Sequence, residues 1–114
     1  MITDEIVSCV AHFFDSGRGP SHDELTRLFH RAGLEAADPA RNSETTGKMK
    51  RVRQVLSYAL DNDPDAGDRL VTFLIALIKA AGGFRPLSDD YAGETVIQAT
   101  REAFQAEGYD LDPE

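Results

Sequence analysis

One apolar run, LVTFLIALI at residues 70–78, limits the folds open to this chain more than any other stretch. Thr72 is its single polar member. Asp63 stands before it as a cap, Pro64 suits the first helical position, and Asp65 and Asp68 suit the positive end of the helix dipole. Gly82-Gly83 supplies the stop. A helix that is apolar nearly all round has to be enclosed by others. The run falls far short of the ~20 residues that cross a bilayer, and charges flank both ends. The pattern therefore predicts a helix at the buried centre of a bundle.

The remaining periodicity is also helical. Thr3 caps a first helix over residues 3–16, with Asp4 and Glu5 in its first turn and Ile2, Ile6, Val10 and Phe13 on one side. SGRGP breaks it. Ser21 with Glu24 makes a capping-box pattern for a second helix, whose apolar side is Leu25, Leu28 and Phe29 and whose stop is Gly33. LEAADPARNSETTG reads as a loop, with turn chemistry at Asp38-Pro39 and Asn42-Ser43. A third helix is expected over residues 46–60. After the fourth, FRPLSDDYAG is a loop whose Phe84, Leu87 and Tyr91 are expected to fold back on the core. A fifth helix over residues 94–106 turns Val96, Ile97, Thr100 and Phe104 inward, and Gly108 closes it. No alternating run marks a strand. The expected fold is all-α: a compact bundle of about five helices around a buried helix 4. It forms one domain over residues 1–108, with 109–114 as a C-terminal tail that starts a linker to a further domain.

A chain of 114 residues buries roughly two thirds of its unfolded surface, enough for one core without metal or disulfide staples. Cys9 is the only cysteine, so no intrachain disulfide forms and a reducing cytoplasm is the expected compartment. The N-terminal MITDEIVSCVAHFFD carries acids where a signal peptide carries cations. Twelve basic against twenty acidic residues leave a net charge of −8, which disfavours general affinity for nucleic acid.

Against that acidity, TTGKMKRVRQVL at residues 45–56 stands out, with Lys48, Lys50, Arg51 and Arg53 within six positions. On a helical projection Met49, Val52, Val55, Leu56, Ala59 and Leu60 share one side, and Lys50, Arg51, Arg53, Gln54 and Ser57 spread over the other. A solvated helix side accounts for this. Two features favour a contact patch for an anion or partner. The cations crowd the N-terminal half, where the dipole opposes them, and the polar side holds no acid. With Tyr58 the only nearby aromatic, base stacking has little support. Binding would take the form of salt-sensitive phosphate contact.

Several chemistries lack their residues. DNDPDAGD at 61–68 has the acids of a calcium loop, but Ala66 stands where glycine is needed and Thr72 where a bidentate glutamate is needed, so a helix cap explains it better. His12, His22 and His30 have no cysteine partners and no ligand spacing, and neither metal nor cofactor is expected. Ser8, Ser16, Ser21 and Cys9 carry no nucleophile motif, and Cys9 reads as a small buried hydrophobe. SHDELTRLFHRAGL looks like the first helix of a helix-turn-helix, but a loop of about a dozen residues stands where a short turn should be. Helical ribonucleases of bacterial defence systems pair an arginine with a histidine after four to six residues. Arg18 and His22 have three between them, Arg27 and His30 two. No catalytic constellation emerges.

The succession of KMKRVRQVL, LVTFLIALI and REAFQAEGYDLDPE resembles the helical N-terminal domains of bacterial abortive-infection-type proteins, over residues 44–112. The resemblance implies an accessory domain for anti-phage defence that holds a partner while the effector chemistry lies elsewhere. It supplies no catalytic residue. The expectation is a non-catalytic helical interaction or adaptor domain, cytoplasmic, without a membrane partner. It would meet a protein or a further domain through Lys48, Lys50, Arg51 and Arg53. The alternatives are a nucleic-acid-binding module using the same side, and a homodimer paired through the fourth helix.

Overall fold

Thr3 opens the first helix through its side chain, which accepts the Ile6 amide at 3.2 Å. In the computed structural model, which describes residues 1–42 and 46–111, helix α1 spans Asp4–His12, shorter than the expected 3–16. The chain tightens at Phe13 and Phe14, whose amides reach the carbonyls of Val10 and Ala11 three residues back, and a 3-10 turn at Asp15–Gly17 follows. Both phenylalanines are buried. Neighbours on a regular α-helix point about 100° apart, and the departure from helical geometry at Phe14, φ −101° and ψ 5°, lets both rings enter the core.

Helix α2, His22–Arg31, has the full capping box between Ser21 and Glu24. Two 3-10 turns, Glu35–Ala37 and Pro39–Asn42, replace the irregular loop expected after it. Ser43 of the expected Asn42-Ser43 turn lies outside the described residues. Helix α3, Lys48–Asn62, starts and ends two residues later than expected. Asp63 ends α3 and caps α4, Pro64–Ala81, by accepting the Ala66 amide at 3.2 Å. At the far end Gly82 takes a left-handed φ of 95°. Helix α5 is Glu94–Ala106, as its pattern predicts.

The five helices share one core, with no strand among the described residues. Helix α1 packs against α3 and α5, α3 also against α4, and α2 against α4 and α3. Gly67 makes the α3–α4 crossing close. A Cβ there would stand 3.1 Å from that of Ala59 and 3.0 Å from Ile2 Cδ1. Helix α4 buries Ala66, Leu70, Val71, Leu74 and Ile78; Phe73, Ile75 and Leu77 are half-covered, and Thr72 and Ala76 face solvent. On α5, Ile97, Thr100 and Ala103 are buried, while Val96 and Phe104 sit at the margin.

Leu87 corrects one expectation. Phe84 is buried and Tyr91 half-buried, but Leu87 stands fully exposed. Successive turns, Arg85 amide to Gly82 carbonyl and Ser88 amide to Arg85 carbonyl, put Pro86-Leu87 at the outer tip of the loop. The C-terminal segment packs rather than projects as far as it is described. The Tyr109 amide bonds to Phe104, the Tyr109 hydroxyl accepts from the Met1 amine at 2.9 Å, and Leu111 is buried.

Candidate functional site

The four cations of the basic stretch divide into two pairs with different surroundings. Arg51 is 2% exposed, the largest fully buried side chain among the described residues. Its guanidinium grips Asp38 in a bidentate pair, Nε to Oδ1 at 2.8 Å and Nη2 to Oδ2 at 2.6 Å. Nη1 donates to the His22 carbonyl at 2.9 Å and to His22 Nδ1 at 3.1 Å, and Nη2 also donates to Thr26 Oγ1 at 2.7 Å. All five N–H groups are engaged, and the guanidinium carbon lies 5.2 Å from the centre of the Phe29 ring. This side chain ties α3 to the first turn of α2 and to the turn that follows α2.

The expectation that Arg51 lies on the polar side of the third helix is corrected here. The projection did hold the signal. At about 100° per residue, Arg51 falls roughly 40° from buried Val55, and Lys48 roughly 20°. Its acid, Asp38, could not be identified beforehand, because thirteen positions, with the 3-10 turn Pro39–Asn42 among them, separate the partners. A sequence pattern reports neighbours along a helix, not a carboxylate folded against it from elsewhere.

Lys48 is committed as well. Its Nζ donates to the carbonyls of Gly17, Gly19 and Pro20 at 2.8, 3.3 and 3.0 Å. Helix α3 begins at Gly47 without a side-chain cap, a poor place for a cation. Three carbonyl oxygens compensate, and in return the lysine fixes the α1–α2 connection. Lys50 and Arg53 differ. Both are exposed and make no hydrogen bond or ion pair among the described residues. The structure therefore does not bring the four together. Two hold the fold and two face outward.

The histidines occupy distinct settings. His12 Nδ1 donates to the Ser8 carbonyl at 2.8 Å. His22 Nδ1 accepts from Arg51, since a guanidinium only donates, which leaves the ring N–H on Nε2. His30 Nδ1 donates to Glu35 at 2.7 Å on the exposed side of α2. Among the described residues no three or more His, Cys, Asp or Glu are grouped to hold a metal ion. Cys9 is half-buried. Burial raises its thiol pKa, the Glu5 charge adds to this, and a hydrogen bond with Thr100 opposes both, so the reactive thiolate is disfavoured. No helix of the described residues is long and apolar enough to cross a membrane.

No family model, curated protein or solved structure matches the chain.

Proposed function

We propose that this chain is a non-catalytic helical interaction domain that meets a protein partner through the outer side of α3, at Lys50 and Arg53. One observation carries the reading. Both cations stand exposed and unpaired among the described residues, on a helix whose inner side is locked by Arg51 and Lys48. A rigid helix lowers the entropy lost on docking. Between Lys48 and Leu60 no acid neutralises that side. A partner with a matching acidic surface is the complement. The resemblance noted in the sequence supports a cytoplasmic, bacterial, defence-related setting.

Nucleic acid is the competing partner, and the engagement of Lys48 and Arg51 leaves it fewer phosphate contacts. Photo-cross-linking in cells, from a reactive residue placed at exposed Gln54, is expected to trap one discrete protein adduct. Lys50→Glu with Arg53→Glu should abolish that adduct without changing thermal stability. An adduct that survives the charge reversal removes this surface from consideration. Oligonucleotide binding whose logarithm falls linearly with log salt would replace the protein partner with nucleic acid.

A further inference from the structure

Between α2 and the 3-10 turns that follow it lies a cleft of about 530 Å3. Small-molecule sites typically fall within ~300–1,000 Å3. Its floor is the Arg51–Asp38 pair, and its rim includes Arg27, His30 and Arg31 of α2 facing Glu35 and Ala40. Three arginines against two carboxylates leave the lining positive, in a chain whose net charge is −8. The floor is chemically closed. Arg51 has no spare N–H, and Asp38 accepts from Arg51 through both oxygens and from the Ala40 amide. The rim is open. Arg27 and Arg31 are exposed and make no hydrogen bond among the described residues. Arg31 is held in place by its guanidinium, 4.6 Å from the centre of the Phe73 ring. Residues four apart on a helix carry Cβ atoms roughly 5–6 Å apart, a spacing that one tetrahedral oxyanion can bridge between two guanidinium forks.

We infer that this cleft binds a small phosphomonoester, with its phosphate bridged by Arg27 and Arg31 over the Arg51–Asp38 floor. A concave site of this volume suits a small ligand better than an extended strand. The overall negative charge repels a polyanion at long range, whereas a small dianion seated in the cleft feels mainly the local lining. The C-terminal end of the α2 dipole opposes an anion here, so both arginines are needed. The Glu35 carboxylate also opposes it, and its hydrogen bond from His30 offsets part of that charge.

The test is an amide chemical-shift titration of the intact protein at constant ionic strength, with glucose 6-phosphate and inorganic phosphate as probes. The expected result is saturable shifts confined to residues 26–31 and 38–40, stronger for the sugar phosphate. Arg27→Ala with Arg31→Ala should weaken binding by roughly tenfold or more, while Lys50→Ala with Arg53→Ala leaves it unchanged. Because Lys50 and Arg53 lie outside the cleft, failure here is distinguishable from failure of the α3 interface. The inference is overturned by shifts that do not saturate or that spread over exposed cations generally, or by unchanged binding in the Arg27/Arg31 variant. Binding of a phosphopeptide or an oligonucleotide without binding of either small probe overturns it equally.

Discussion

A guanidinium is tolerated in a protein interior only when its hydrogen bonds are met, and Arg51 meets that condition with four different acceptor groups besides the Phe29 ring. Removing one member of such a pair strands the other. Arg51→Ala is expected to destabilise the fold by about 3–5 kcal/mol in urea titration, because Asp38 is left buried and unpaired. The combination Arg51→Met with Asp38→Leu should recover most of that loss, since two apolar side chains carry no stranded charge. A double variant as unstable as the single one would show that the pair is not the cause. A pH dependence follows from the same contact. Burial alone would raise the Asp38 carboxyl, but the Arg51 hydrogen bonds, the Ala40 amide and the Arg51 charge outweigh it and hold it below its ordinary value. A folded value below the unfolded one stabilises fully above the unfolded pKa, ~3.9, and the benefit is lost as pH falls through the folded value. Wild-type stability should therefore fall more steeply than that of the double variant as pH is lowered past about 4. Parallel curves would exclude Asp38 as the source.

At the scale of elements, the ends of the helices were legible where a single residue decides them. Asp63, Pro64, Ser21 with Glu24 and Thr3 all act at the positions their chemistry suggests. Boundaries shifted where packing decides instead. Helix α1 stops early because two adjacent phenylalanines both enter the core. Helix α3 starts late, at Lys48, whose side chain reaches back to three carbonyls. Lys48→Met keeps the aliphatic stem and removes those bonds. It is expected to lower stability by about 1–3 kcal/mol and to speed proteolysis at residues 15–20. Limited digestion with cleavage sites read by mass spectrometry measures this, and an unchanged rate would mean that the connection is held by other contacts.

At the scale of the molecule, one core is closed by chain segments far apart in sequence. Met1, Tyr109 and Leu111 meet beside α1 and α4, with the Met1 amine on the Tyr109 hydroxyl. Leu111→Ala should therefore lower stability by about 2 kcal/mol, read as a fall in Tm of roughly 4 °C per kcal/mol for a domain of this size. A Tm unchanged by the substitution would mean that residues 109–111 contribute nothing to the fold. The sequence by itself determined the all-α class, the order of five helices and most of their caps, because periodicity and capping act between residues within about four positions of each other. Only the tertiary structure decided which cations of the basic stretch face inward and that Arg27 and Arg31 rim a cleft over a buried ion pair. Those outcomes depend on Asp38, the carbonyls of Gly17, Gly19 and Pro20, and Phe73, which meet partners distant in sequence, and such meetings leave no local trace along the chain.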